Sequence, residues 1–321
     1  MQLVDGHRIS PLLGEKLVYI GQLDSYERGS EIAERLLNLK VSDSQIYRMT
    51  DGIGVRSESW LNEEDLRSNL VSDSELESSQ SVVYAQVDGS MLLTREESWK
   101  EVKLGRIFSS TDLYEETTHR NWLKKSEYVA HFGHHKDFEA KMSLLLDDYA
   151  KLEERLVFIN DGARWQWNWI DAEYPKATQI LDFYHAMEHI GKYISLIKSG
   201  TEKQMCLTML SNCLKTEGVS TCWEKIDEIE CQTQTQLKEK AQLKKYIDSN
   251  RKRMNYPEYL KRKLLIGSGA IESAHRTVIQ RRMKLSGQRW SKQGAMNMLN
   301  LRTLNMSGHW DRVVSFFKNA A

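Results

Sequence analysis

Hydrophobic residues recur every three to four positions near the start of the chain, which is the period of an amphipathic helix. Over residues 12–56 this pattern predicts helices, one from Ser30 to Leu39 and a second that begins at an N-cap, Ser42 or Ser44. Two short helices around a tight turn match a helix-turn-helix, whose second helix enters the major groove of DNA. Any helical hairpin gives the same pattern, so the motif alone does not establish DNA binding.

The chain then becomes polar before its hydrophobic pattern changes period. Residues 57–80 are rich in serine and glutamate, as in a linker or a loosely packed helix. The run SVVYAQVDGS is apolar and β-branched and predicts a strand that ends in an Asp-Gly pair at Asp88, and residues 91–110 alternate in two halves like paired strands. The run ERLVFINDGA predicts a short buried strand that ends in a second Asp-Gly pair at Asp161.

Helical patterns dominate the second half of the chain. The run RWQWNWIDAEYP predicts a helix stopped by Pro175, and ATQILDFYHAMEH predicts a strand that runs into a helix. Residues 135–152 and 186–255 are helical in character, the second segment without strand signals. A final helix carries Glu272 after a Gly-Ser-Gly turn. Hairpin strands followed by a strand–helix alternation predict an α/β protein whose mixed sheet is flanked by helices.

Composition narrows the class of protein. About 40% hydrophobic and 28% charged residues with 3 prolines describe a folded, helix-rich protein. No apolar run approaches the roughly 18 residues that span a bilayer, and no basic segment followed by an apolar run marks a secretory signal. We therefore expect a cytoplasmic protein with no membrane partner. The four cysteines lack the C-x-x-C spacing of zinc sites and are expected to be reduced thiols.

The net charge of zero hides an asymmetry along the chain. Residues 251–321 carry 15 Lys+Arg and 3 Asp+Glu, a net of +12, and residues 1–250 carry the remaining 30 basic and 42 acidic residues, a net of −12. A basic block of this density is typical of proteins that bind a polyanion such as nucleic acid. A solvated helix face would have the same composition, so charge alone leaves both explanations open.

Three carboxylates are candidate ligands of a metal ion. Asp88 and Asp161 each follow an apolar strand, and side chains at the carboxyl ends of strands project into the crevice where open α/β sheets bind ligands. Asp-Gly is also a good turn, which by itself would explain either residue. Glu272, at the start of a helix, adds a third acid, and three converging acids repel each other unless a cation is present. Hard oxygen ligands suit Mg²⁺ or Mn²⁺, and two such ions about 4 Å apart can catalyse phosphodiester displacement.

Three longer segments carry a family resemblance: QVDGSMLLTREESWKEVKLGRIF, NDGARWQWNWIDAEYPKATQILDFYHAMEHI and GSGAIESAHRTVIQRRMKLSGQRWSKQGAMNMLNLR. They resemble the signature segments of bacterial insertion-sequence transposases of the ISKra type, which are relatives of the Mutator-like DDE transposases. The resemblance extends from about residue 12 to 310 and includes the order of the segments. It implies an RNase H-like catalytic core, interrupted by an all-α insertion before the glutamate helix. By this resemblance Asp88, Asp161 and Glu272 are a triad that binds two Mg²⁺ or Mn²⁺ ions.

The same resemblance implies a division of the chain and a role for a fourth site. The expected segments are a helical, DNA-binding N-terminal segment (1–56), a linker (57–80), the first part of the catalytic core (81–185), a helical insertion (186–255) and the second part of the core with its basic end (256–321). Asp182 and His185 match the family's C/D-x-x-H element, which acts near the scissile strand; the resemblance implies that His185 is catalytic and that Asp182 contacts DNA. His185 and His189 are also four residues apart on one helix face, as in a metal pair, although no third soft ligand is evident.

Basic and aromatic residues are the candidate DNA contacts. The basic residues predicted to hold phosphates near the metal ions are Arg276, Arg281, Arg282, Lys284, Arg289 and Lys292. Trp290 lies among them and is a candidate for stacking on a base. The three tryptophans at 165, 167 and 169 follow a predicted core strand, and we expect them to pack in the interior.

These observations predict a DDE transposase that cleaves DNA at the ends of an insertion sequence and transfers the freed strand to target DNA. The expected partners are transposon-end and target DNA and, from the family, a second copy of the chain in a homodimer or larger assembly. The alternative is a DNA-binding regulator derived from a transposase, catalytically inactive or domesticated. A glycosidase with paired carboxylates would give no role to the basic block.

Overall fold

A computed structural model describes residues 9–61, 81–117, 120–150 and 153–318 of the chain. The strands are β1 (Val83–Thr94), β2 (Ser98–Ser109), β3 (Leu113–Thr117), β4 (Arg120–Leu123), β5 (Glu127–Phe132), β6 (Leu156–Asn160) and β7 (Thr178–Leu181). The helices are α1 (Pro11–Leu23), α2 (Tyr26–Leu37), α3 (Asp43–Leu61), α4 (His135–Ala150), α5 (Arg164–Glu173), α6 (Phe183–Ile194), α7 (Gly200–Thr216), α8 (Val219–Asp227), α9 (Gln234–Asn250), α10 (Tyr256–Lys261), α11 (Gly269–Ala274), α12 (Arg281–Met283), α13 (Lys292–Met306) and α14 (Trp310–Lys318).

The chain divides into two compact units. Unit 1 comprises residues 1–156 and 270–321, and unit 2 comprises residues 157–269. Strand pairing is antiparallel in unit 1 and parallel in unit 2, and helices flank both sets of strands. The predicted mixed α/β class is therefore confirmed. Among the described residues, no helix combines the length and the apolar character that a bilayer crossing would need.

The N-terminal helices of unit 1 match the predicted hairpin in type but differ at the ends. The first predicted helix begins four residues early, at Tyr26, and ends before Asn38, whose left-handed backbone (φ 53°) breaks it. The Ser42 hydroxyl accepts the Gln45 N–H (3.2 Å), which confirms Ser42 as a helix cap. The helix α3 extends to Leu61, so the first five residues of the predicted linker are helical. The rest of that linker, residues 62–80, lies outside the described residues.

Strands β1, β2 and β5 form an antiparallel sheet in the order β5-β2-β1. The prediction that the first strand ends at Asp88 is wrong, because β1 continues to Thr94 and Asp88 lies in its middle, opposite Leu104. A Cβ on Gly89 would meet the carboxylate of Glu101 in β2, which is the end of a flexible side chain. The Asp-Gly pair therefore lies within a strand and does not form a turn.

Three consecutive segments form one long helix in the last part of the chain. They are α11, a π-helical stretch (His275–Gln280) and α12, and we call them together the Glu272 helix. Its apolar side packs with the sheet and with α13 in one hydrophobic cluster of unit 1. The other end of α13 packs with α1, α2, α3 and α14 in a second cluster. Helix α13 is therefore buried along most of its length and links the sheet to the N-terminal helices.

Unit 2 begins with two parallel strands, in which Asn160 of β6 lies opposite Leu181 of β7. Helix α5 connects them, and helices α6 to α10 follow β7. The predicted helical character of residues 186–255 is confirmed. Trp167 and Trp169 are buried, as expected for core residues, whereas Trp165 is only half-buried.

Candidate functional site

In unit 1, one face of β1 contacts the Glu272 helix through polar side chains. From the strand side the contacts are Gln86 Oε1 with the Ile271 N–H (2.9 Å), Asp88 Oδ2 with His275 Nε2 (3.2 Å) and Ser90 Oγ with Lys284 Nζ (2.5 Å). These three strand residues share a face because side chains alternate along a strand. Glu272 follows Ile271 and precedes His275 by about one helical turn. The structure therefore brings the predicted acids Asp88 and Glu272 to the same part of unit 1.

Both acids can be reached from solvent. Glu272 is exposed and makes no hydrogen bond or ion pair with the part of the chain that the structure describes. Asp88 keeps 34% of its side chain exposed, and its Oδ1 accepts the neighbouring Gly89 N–H (2.6 Å). Carboxylate oxygens that are open to solvent are available as ligands for a hard cation.

His275 is a site residue that the sequence analysis missed. It is buried, and neither of its ring nitrogens makes an aligned hydrogen bond with a described residue, although Nε2 lies 3.2 Å from Asp88 Oδ2. The π-helical stretch begins at this residue, and π turns occur frequently at functional sites. The signal in the sequence was the Glu-x-x-His spacing, which places a histidine on the glutamate's face of the helix.

The predicted acid Asp161 lies in unit 2, at the carboxyl end of a parallel strand. It follows β6 directly, as predicted, and its Oδ1 accepts the Ala163 N–H (3.2 Å) in a turn that leads into α5. Gly162 has a φ of 106°, which a residue with a side chain rarely adopts. A Cβ there would also lie 3.1 Å from Leu181 of β7. The glycine of this second Asp-Gly pair is thus required by the turn itself.

Asp182 leaves β7 at the same edge of unit 2 as Asp161, because the two parallel strands end in register. Both acids act electrostatically on Tyr246 of α9. Burial raises the pKa of the Tyr246 hydroxyl, and the negative charges of Asp161 and Asp182 raise it further. Its hydroxyl oxygen is buried without a hydrogen-bond partner in the described residues. Helix α9 therefore supplies a neutral phenol beside this acidic edge.

The two histidines of unit 2 stack on that tyrosine. The rings of His189 and Tyr246 lie 3.9 Å apart at 17°, and those of His185 and His189 lie 5.0 Å apart. Burial lowers the pKa of His189, and the neighbouring His185 lowers it further. Within residues 9–61, 81–117, 120–150 and 153–318, no three His, Cys, Asp or Glu side chains form a group that could hold a metal ion.

Most of the predicted basic contacts are at the surface of unit 1. The exposed members are Arg276, Arg281, Lys284, Arg289 and Lys292. Arg282 is fully buried, with its guanidinium 4.7 Å from the ring centroid of Tyr26 and 5.1 Å from that of Trp290. Trp290 is 7% exposed and donates its indole N–H to the Met283 carbonyl (3.0 Å). Burial removes Arg282 from the set that can contact DNA in this structure, whereas Trp290, although mostly buried, lines a surface cavity.

A surface cavity of about 500 Å³ lies beside Arg289 in unit 1. Its lining includes Tyr26, Ser44 and Tyr47 of α2 and α3, Arg95 of the β1–β2 turn, and Trp290. Aromatic rings and arginines in one cavity are a common combination in nucleic-acid sites. The predicted helix-turn-helix and the basic segment thus meet at one surface.

Comparison with known proteins places the chain in a family. The model of an uncharacterised protein family, UPF0236, matches residues 1–320. The chain belongs to UPF0236. It is similar to the UPF0236 protein in the vanSb 3′ region of Streptococcus gallolyticus, at 24% identity over 309 residues. The aligned part covers 94% of this chain and 64% of that relative, so this UPF0236 member spans less than two thirds of the relative's length.

Proposed function

We propose that this UPF0236 member is a DDE transposase with an RNase H-like core, which cuts DNA at the end of an insertion sequence and transfers the freed 3′-hydroxyl to target DNA. The observation that carries the proposal is the contact between Asp88 and the Glu272 helix within unit 1. These residues are far apart in the sequence, and the resemblance to transposases pairs them as ligands of the same ions. The proposal requires Asp161 of unit 2 to bind those ions as well.

The order of elements supports the RNase H-like assignment. Antiparallel strands β1, β2 and β5 come first, a parallel pair with alternating helices follows, and α7 to α10 precede the Glu272 helix. This is the order that the resemblance implies, including an all-α insertion before the glutamate. The fold class alone would not select this function, because related folds host many activities.

The acidic residues suit a hard divalent cation. Exposed carboxylate oxygens of Asp88 and Glu272 match the preference of Mg²⁺ and Mn²⁺ for oxygen ligands and retained waters. Bound ions would supply the activation of the attacking oxygen and the stabilisation of the leaving oxygen in an in-line displacement. His275, pressed against Asp88, would limit the rotation of that carboxylate. The exposed arginines and lysines beside the Glu272 helix would hold the DNA phosphates.

Substitution of each acid tests the proposal. Asp88→Asn, Asp161→Asn and Glu272→Gln are each expected to lower Mg²⁺-dependent nicking of supercoiled DNA by about 10²–10³-fold or more, because each removes charge that stabilises the reaction. DNA affinity, measured by fluorescence anisotropy, should stay near the wild-type value. Glu96→Gln is the matched control, because Glu96 is an exposed acid in the turn after β1.

A second measurement tests the ligand set without relying on DNA cleavage. Fe²⁺ in place of Mg²⁺, with ascorbate and peroxide, generates radicals that cut the polypeptide beside the bound ion. Fragments that end near residues 88, 161 and 272, and that disappear with excess Mg²⁺, are expected. Wild-type nicking in any triad variant would remove that residue from the set. DNA binding without any metal-dependent cutting by the wild type would favour the DNA-binding regulator instead.

A further inference from the structure

The Asp182 carboxylate is buried and occupied by four hydrogen bonds. It is 2% exposed. Its Oδ1 accepts the backbone N–H groups of Tyr184 (2.6 Å) and His185 (3.1 Å), which makes it the N-cap of α6. Its Oδ2 accepts the backbone N–H of Ser268 (2.8 Å) and the Ser268 hydroxyl. A DNA group or a metal ion could reach this carboxylate only by breaking these bonds.

The four donors explain how a negative charge is accommodated in the interior. A buried carboxylate is costly unless hydrogen bonds replace its hydration. Bonds to a charged acceptor are stronger than neutral ones, and the start of a twelve-residue helix adds a favourable dipole. Both oxygens of the Asp182 carboxylate therefore have hydrogen-bond donors, two of which come from Ser268.

Further contacts hold the start of α6 against residues 266–268. The Phe183 N–H donates to the Ile266 carbonyl (2.9 Å). A Cβ on Gly267 would lie 2.6 Å from a ring carbon of Tyr184, so only glycine fits at this approach. Residues 266–268 thus lie directly against the start of α6, although Ser268 is 86 residues from Asp182 in the sequence. The chain enters the helical segment of unit 2 at the start of α6 and leaves it at residues 266–268, so these contacts join the two ends of that segment.

Ser268 is the residue before the Glu272 helix, and Glu272 lies in the first turn of that helix. Within unit 1, Gln86 accepts the Ile271 N–H and Arg106 Nη1 donates to the Ala270 carbonyl (2.7 Å). Within unit 1 the sheet therefore holds the first turn from residue 270 onward, and within unit 2 Asp182 holds Ser268, the residue before the helix. Loss of the bonds between Asp182 and Ser268 would free the entry into this turn, whereas the bonds of Gln86 and Arg106 would remain.

We propose that Asp182 is a positioning residue, which fixes the Gly-Ser-Gly turn that leads into the Glu272 helix. This inference rests on the proposed function for the role of Glu272, and it assigns Asp182 to the support of an acid and not to contact with DNA. The geometry required for catalysis is strict, since a displacement of 1 Å can cost about 10²-fold in rate.

Two variants of different severity test the inference. Asp182→Asn keeps the size of the side chain but turns an amide NH₂ toward either the α6 N–H groups or the Ser268 donors, so donors face donors. Ser268→Ala removes only the hydroxyl and keeps the backbone N–H bond, and serves if Asp182→Asn fails to fold. Asp248→Asn is the control, because it neutralises an exposed acid of the same unit.

Hydrogen–deuterium exchange gives a readout that does not depend on activity. In Asp182→Asn, exchange at Ser268 and in the first turn of the Glu272 helix is expected to rise by about tenfold or more, since those N–H groups lose an acceptor or their anchor. Ser268→Ala should give a smaller rise in the same peptides, and α13 should be unchanged in both variants. Equal exchange in wild type and Asp182→Asn would overturn the inference.

Kinetics then separates positioning from DNA contact. The rate of Mg²⁺-dependent nicking at saturating DNA is expected to fall about 10²-fold in Asp182→Asn, with the DNA dissociation constant within about twofold of wild type. A tenfold loss of DNA affinity with unchanged exchange would mean that Asp182 contacts DNA, and would overturn the inference. If the wild type does not cut DNA, the proposed function fails, and the exchange experiment still decides whether Asp182 holds the turn.

Discussion

Gly54 of α3, the predicted DNA-binding helix, lies in close contact with Asn297 of the buried helix α13. A Cβ at this position would lie 2.6 Å from both the Cβ and the carbonyl oxygen of Asn297, where ordinary contacts begin at 3.4 Å. Gly54→Ala therefore requires the helices to separate by about 0.8 Å, the difference between those two distances. The obstacle is backbone, so no side-chain rotation relieves it.

The expected loss of stability follows from opposing contributions. Forced separation of a packed interface costs about 1–3 kcal/mol. It also stretches two hydrogen bonds across the interface, Asn297 Nδ2 to Asp51 Oδ1 (2.7 Å) and Asn300 Nδ2 to the Gly54 carbonyl (3.3 Å), each worth about 1 kcal/mol. Replacing glycine by alanine inside a helix returns about 1 kcal/mol. We expect Gly54→Ala to lower the free energy of unfolding by about 2 kcal/mol.

Gly52 provides a matched control two residues away in the same helix. A Cβ on Gly52 meets nothing within 4 Å, so Gly52→Ala should raise the free energy of unfolding by about 1 kcal/mol through helix propensity alone. Urea unfolding followed by circular dichroism measures both variants, with the midpoint as the readout if the slope is unchanged. A Gly54→Ala protein as stable as Gly52→Ala would refute the close approach of α3 and α13.

Two further predictions concern titration and thiol reactivity. Burial lowers the pKa of His131, the Lys141 and Lys103 cations lower it further, and Asp137 and Glu58 oppose them. The unfolded chain therefore binds a proton more readily than the folded protein, so the free energy of unfolding should fall as the pH drops below about 6.5, and His131→Gln should flatten that slope between pH 7.5 and 5.5. Equal slopes in the two proteins would contradict this. Burial raises the pKa of Cys222 to about 12, and Cys213 is equally buried, whereas Cys206 and Cys231 are half-buried. Iodoacetamide at pH 8, followed by peptide mass spectrometry, should modify Cys231 well before Cys222; comparable rates would place Cys222 at the surface.

Local patterns in the sequence were enough for most elements of the fold. The helix cap at Ser42, the strand before Asp161 and the helix stopped before Pro175 all depend on neighbours within a few residues, and each is present in the structure. The strand through Asp88 was misjudged because an Asp-Gly pair ordinarily ends a strand. The pairing with β2, which continues to Thr94 opposite Ser98, carries the strand past Gly89.

In the candidate site, too, local sequence and tertiary contacts decided different properties. The sequence by itself determined which residues can carry the chemistry, because carboxylates, basic side chains and their order along the chain are local properties. Tertiary structure decided which of them are available: it buried Arg282, enclosed Asp182 in four hydrogen bonds, and placed the unpredicted His275 against Asp88. Exposure and hydrogen bonding depend on contacts between residues that are distant in the sequence, and a periodic pattern does not specify which distant partner a side chain meets.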